Sequence, residues 1–288
     1  MIQKTAKRPL QVKRKLFSAL KYLSVFMTVI SVLSLAAVIF YIIADGYDKI
    51  SFSLIFGEFT LENYSIFPAI VGTLELVVIS SVIAVPLGIG SAVFLVEYTD
   101  NTGPMVRAIR VATETLAGIP SIVYGLFGYL VFVITCGWKY TLLGGGITLA
   151  IMILPVIVRS TEESLLSVPV SYREGAYALG AGKVRTIFRI VLPAASAGIV
   201  SAVILAIGRV ISESAVLILT IGMVVDIVPE SVMSPGTSLA LDIYYFANYG
   251  HPNESAATAV VLLILVLCLN LLATFAGRAI KKSTGETK

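Results

Sequence analysis

The sequence predicts an all-α integral membrane protein with six transmembrane helices. Hydrophobic residues make up 57% of the 288 positions and charged residues only 13%, with a mean hydropathy of +0.95, outside the range of soluble globular chains. Six apolar stretches are each long enough to span about 30 Å of hydrocarbon. Lys and Arg crowd the amino end, the segment with Arg107 and Arg110, the loop from Arg173 to Arg189 and the tail, whereas the remaining loops carry only Lys49 and Lys139. That asymmetry places both termini in the cytoplasm.

Residues Met1 to Lys21 hold seven cations and no acid, and an apolar run follows from Tyr22 to Ile43. The run is too long for a cleaved leader and reads as a first anchored helix. Residues 22–67 comprise this helix and an outer segment with Asp45, Asp48, Glu58 and Glu62. A second span, Pro68 to Val96, is loosened by Pro86, Gly88 and Gly90 and contains Glu75, a candidate functional carboxylate because charge inside a span is costly. The third span holds GIPSIVYGLFG, Gly118 to Gly128, where Pro120 removes a backbone hydrogen bond and Gly118 and Gly125 leave little side-chain cover. A broken helix is expected there, either as a wall of a water-filled pathway or as a packing kink.

Gly144, Gly145 and Gly146 read as an outer turn before the fourth span, Ile147 to Leu166, which Leu154 and Pro155 should break. Arg159 has Glu162 and Glu163 at i+3 and i+4 and reads either as a neutralised snorkelling residue or as a cavity-facing one. The fifth span, Ala194 to Gly222, carries Arg209 near its middle. Glu213, four residues on, is turned only about 40° round the helix and so shares its face, making an ion pair in the membrane beside Ser212. The acidic stretch Asp226 to Glu254 is expected as a long outer loop, and the sixth span as Ser255 to Ala276. Residues 281–288 form a tail inside.

Between the fourth and fifth spans lies the polar stretch 169–193. Ser171 and Glu174 have the spacing of a capping box, Gly180 or Gly182 supplies a left-handed stop, and Pro193 suits the start of a new helix. Glu174, Gly175 and Ala176, then Gly180, then Ile190, Leu192 and Pro193 reproduce the spacing of the EAA loop, so the chain resembles the membrane permeases of binding-protein-dependent ABC importers. Gly175 stands where alanine is usual. The resemblance implies a type I importer (MetI-like) permease fold over 68–280, in which this loop is a cytoplasmic coupling helix docked on an ATP-hydrolysing subunit.

Read together, GIPSIVYGLFG, LPVIVRSTEESLLSVPVSYREGAYALGAGK and GRVISESA are similar to the phosphate-specific (Pst-type) permeases, and ALDIYYFAN is closer to the A-type subunit. The fifth span departs, with Ser212-Glu213-Ser214-Ala215-Val216-Leu217 where the family more often has Gly-Glu-Thr-Ala-Pro-Leu. The resemblance implies a second, PstC-like permease, two PstB-like ATP-binding subunits and a PstS-like extracytoplasmic phosphate-binding protein. The charge pair adds the expectation that phosphate and Glu213 compete for Arg209. ATP and Mg2+ would be bound by the partners, with no cofactor in this chain. Consistent with that division, the sequence has no phosphate-binding Gly-x-x-x-x-Gly-Lys-Ser/Thr loop: Gly182 and Lys183 are followed by valine. One histidine and two cysteines exclude a metal cluster or disulfide framework, and cations flanking apolar spans suit a membrane surface rather than nucleic acid. Guanidinium does not by itself separate tetrahedral anions, so a sulfate or molybdate permease stays open, as does a non-transporting phosphate-signalling scaffold.

Overall fold

In the computed structural model, residues 7–60, 64–99 and 103–283 are described, and none of them forms a strand. Helix α1 (Lys7–Gly46) ends in a short 3-10 turn and is followed by α2 (Phe52–Phe56), capped by the Ser51 hydroxyl. Next come α3 (Phe67–Val93), α4 (Pro104–Ala117), α5 (Ser121–Gly128), α6 (Leu142–Leu166) and the short α7 (Val170–Ala178). The chain continues through α8 (Lys183–Thr186), α9 (Leu192–Ile211), α10 (Ala215–Thr220), α11 (Leu239–Asn248) and α12 (Pro252–Ser283). Five segments are long and apolar enough to cross a membrane, and α4 with the α5 segment makes a sixth if the two halves count as one span bent by 97°.

The core lies where α3, α6, α9 and α10 meet around Leu76, Leu149, Ile153, Ile157, Val210 and Leu217. Glycine permits the close approach. A Cβ on Gly88 would fall 2.6 Å from Ile157 Cγ2, and one on Gly146 only 2.4 Å from Ile79 Cγ2. The expected Gly144–Gly146 turn is therefore the buried first turn of α6, capped by the Thr141 hydroxyl. Pro155 does not break that helix, nor Pro86 α3. In contrast, α1 leans mainly on α12 and leaves its apolar side chains exposed along most of its length.

The acidic stretch 226–254 is not all loop. Residues 221–238 fold back over the start of α6, with Leu142 N–H donating to Ser234 O and Leu143 N–H to Val232 O, and α11, buried at residues 239–242 and at Phe246, packs against α12. Asp242, on α11 and outside the long apolar helices, is fully buried. Burial pushes its carboxyl up to about 8, against the opposing pull of a hydrogen bond from the Thr237 hydroxyl. Of the acids read as an outer cluster, Glu62 lies outside the described residues.

Candidate functional site

The expected continuous fifth span is two helices. α9 stops at Ile211, Ser212 turns the chain, and its hydroxyl donates back to the carbonyls of Gly208 (3.0 Å) and Arg209 (3.3 Å). Serines that satisfy carbonyls locally compete with helix continuation. Glu213 therefore does not sit one turn above Arg209. Its Oε1 accepts from the N–H groups of Ala215 (3.0 Å) and Val216 (3.3 Å), capping α10 instead. The expected Arg209–Glu213 pair is not formed, because the helix needed to align the two ends between them.

Arg209 consequently lies in the last turn of α9 rather than at mid-helix, half-buried, with no ion-pair partner among the described residues. α5 carries Tyr124, a buried side chain with a hydroxyl at its tip. That hydroxyl donates to Leu116 O at 2.8 Å, tying α5 back to α4 across the bend. Gly118 ends α4 and Pro120 starts α5, so both make the corner. Gly125 faces inward, where an added Cβ would lie 3.0 Å from Val216 Cα, and so holds α5 against α10. Arg209 thus sits at the break between α9 and α10, and α10 packs on α5, the second half of the broken α4–α5 segment.

From Arg209 an exposed stripe of α9 runs through Leu205 to Ser201 at four-residue spacing. It enters a groove of about 390 Å³ between α6 and α9, lined in part by Ser160, Glu163, Ser164 and Gly198. Ser212 is exposed at the other end of the stripe. Further round α6, Arg159 pairs with Glu163 (3.2 Å), which also borders that groove, and with Glu114 of α4 (3.4 Å), while Glu162 takes Arg110 at 2.5 Å. These side chains line a second pocket of about 250 Å³. Arg159 is therefore a paired, exposed residue near the α7 end. Glu75, half-buried on α3, has one carboxylate oxygen buried without a hydrogen-bond partner among the described residues.

The α7 loop differs from its expected capping. Pro169, not Ser171, precedes the first helical residue, and no side chain caps the start; Ser171 is already inside the helix. At the other end Gly180 takes φ +80°, Ala181 N–H reaches Ala176 O (3.0 Å) and Gly180 N–H reaches Tyr177 O (2.9 Å), a Schellman stop. The following helix begins at Lys183, and Pro193 lies inside a run to Ile211, accommodated after a wide π-turn at Ile187–Val191. Glu174 and Gly175 are exposed, Ala176 is buried against the bundle, and Ile190, Leu192 and Pro193 are half-buried. Exposed Val170, Tyr172, Tyr177 and Leu179, the last at 90%, give the loop an uncovered apolar surface. Arg173 and Glu97, absent from the sequence-based candidates, form an ion pair under this loop.

The chain is 34% identical over 260 residues to the probable ABC transporter permease protein YqgI of Bacillus subtilis, covering 84% of this chain and 88% of that one. It is also 34% identical over 281 residues to the phosphate transport system permease protein PstA 1 of Mycobacterium tuberculosis strain H37Rv, covering 92% and 89%. Among solved structures, a bacterial alginate ABC transporter in complex with its alginate-loaded periplasmic protein aligns with a TM-score of 0.65 at 16% identity over 98% of each chain. The inward-facing MetNI methionine transporter aligns at 0.58 and 19% identity, over 75% of this chain and 94% of that one. The fold is thus the type I importer permease fold. The family model for the binding-protein-dependent transport system inner membrane component matches residues 84–285, and the chain belongs to that family.

Proposed function

We propose that this chain is the A-type permease subunit of an ATP-driven importer of inorganic phosphate, working beside a second permease, two ATP-binding subunits and an extracytoplasmic phosphate-binding protein. The observation that carries the proposal is Arg209: a half-buried guanidinium with no anion partner among the described residues, at the break between α9 and α10 and on an exposed stripe of α9. A guanidinium offers a planar fork of donors matched to the oxygens of a tetrahedral anion, and a low-dielectric setting strengthens that attraction. Discontinuous helices supply backbone groups to a solute at membrane depth. The name of the mycobacterial relative, matched over nearly the whole chain, supports phosphate as that anion.

In this reading the α7 end and the termini face the cytoplasm, as the cation asymmetry requires. The apolar surface of α7 docks on an ATP-binding subunit. Phosphate leaves its binding protein at the α11 end, meets Arg209 and passes down the stripe towards the serine-lined groove. Arg209 needs no ion pair broken to receive it, because Glu213 is engaged with α10. The test is reconstitution of the four-component complex in liposomes with ATP and labelled phosphate. ATP-dependent accumulation that excess sulfate does not suppress is the expected result. Accumulation of sulfate in preference to phosphate, or none of either, would refute the assignment.

A further inference from the structure

The last turn of α3 widens into a π-turn, Phe94–Tyr98, and two successive residues of that turn hold the α7 loop at two points. Glu97, whose side chain is only 6% exposed, accepts on Oε1 from Arg173 Nε (3.0 Å) and Nη2 (2.8 Å). The other guanidinium donors close off the end of α6: Nη1 reaches Val168 O (3.0 Å) and Nη2 also reaches Leu165 O (3.1 Å). Next along, the Tyr98 ring lies under the ammonium of Lys183, the first residue of α8, at 4.9 Å. Arg173 lies within the exposed apolar side of α7, between Tyr172 and Tyr177, and Lys183 follows it, so the loop is pinned at two points to one helix.

A surface loop kept in place only for docking would not need a four-bonded guanidinium on a buried carboxylate beneath it, since exposed pairs suffice for weak tethering. α3 is well suited to carry a displacement. It is close-packed on α6 at Gly88 and Gly146, so the pair moves as a body. At its other end a Cβ on Gly72 would fall 2.1 Å from Thr237 O, and Thr73 Oγ1 accepts from Leu239 N–H at 2.9 Å, joining α3 to the start of α11.

We propose that Glu97 and Arg173 form a strut through which movement of α7 is passed to α3 and along it to the α11 end, with Lys183 on Tyr98 keeping the second point in register. Both are positioning residues. The inference rests on α7 being the docking element.

The test uses the complete complex in liposomes, carrying Glu97→Gln or Arg173→Lys, the latter keeping the charge while losing the fork that reaches Glu97 and two carbonyls together. The expected result is an ATP-binding subunit retained at its normal ratio, continued ATP hydrolysis, and about a tenfold fall in phosphate moved per ATP. Unchanged phosphate per ATP in either variant, or loss of the ATP-binding subunit from both, would overturn the strut. Leu179→Asp, on the exposed surface of α7, separates the two layers. Loss of the ATP-binding subunit from that complex upholds docking whatever the Glu97 result, whereas normal transport by it removes the docking reading itself.

Discussion

Two arginines in this chain show opposite treatments of the same side chain. Arg173 is saturated, with a buried carboxylate and two carbonyls using its donors. Arg209 is half-buried, unpaired among the described residues, and flanked by backbone that has left the helix. A saturated guanidinium is a fixture, because breaking it exposes a buried anion. One without a protein anion is open to a ligand, and the protein carries its desolvation cost to keep it so. The α7 end is thus built to hold its shape, whereas the Arg209 end leaves a charge free for the role proposed for it.

The largest expected difference is in stability. Arg173→Gln strands the buried Glu97 carboxylate and should destabilise the chain by about 3–5 kcal/mol, seen as a lower unfolding midpoint in detergent. Arg209→Gln should leave that midpoint unchanged or raise it, because it relieves the desolvation of an unpaired charge and no named contact is lost. Equal losses would erase the contrast.

Asp242 sharpens it from a third position, a buried acid held neutral. Its carboxyl stands at about 8 when folded, above its ordinary value of 3.8, so the folded state binds the proton more tightly than the unfolded chain. Its contribution is therefore full below about pH 4. It declines as pH rises and is lost once pH passes about 8. Asp242→Asn should flatten that part of the stability profile between pH 5 and 8.5, measured by thermal unfolding; an unchanged slope would show that another group carries it.

Glu213 gives a smaller effect. As a cap on α10 it should cost about 1 kcal/mol on replacement by alanine, while Glu213→Gln, which keeps the accepting oxygen, leaves stability and transport near their starting values. A severe transport defect in Glu213→Gln would restore the abandoned ion-pair scheme. The smallest expected change is Gly175→Ala. A Cβ there meets nothing within 4 Å on an exposed turn of α7, so helix propensity alone should stabilise by up to about 1 kcal/mol, with normal assembly.

Much of this was legible in the sequence, and what was not has physical causes. The apolar lengths gave the spans, and Pro120 with Gly118 marked the 97° bend. Arg209 was found because a cation in an apolar run is conspicuous. Its pairing with Glu213 was misread because angular spacing has meaning only while a helix lasts, and the two serines around Glu213 signalled its end. Gly144 to Gly146 suggested a turn, since glycine allows one; only the neighbouring Ile79 and Ile221 show that close packing was the need. α11 is short and lies in an acidic stretch, although Ser238 stands where its hydroxyl accepts from Leu241 N–H. No periodicity joins Glu97 to Arg173, 76 residues apart, so their contact belongs to the fold alone.

The central claim is that Arg209 meets the transported anion. Its most direct test is the initial rate of ATP-driven phosphate uptake by complexes carrying Arg209→Gln, with assembly and ATP hydrolysis measured on the same preparation. The account predicts intact assembly, continuing hydrolysis and uptake reduced at least about a hundredfold, the order expected when one charged donor is removed from a site where charge is stabilised. Uptake at the unmodified rate would contradict it.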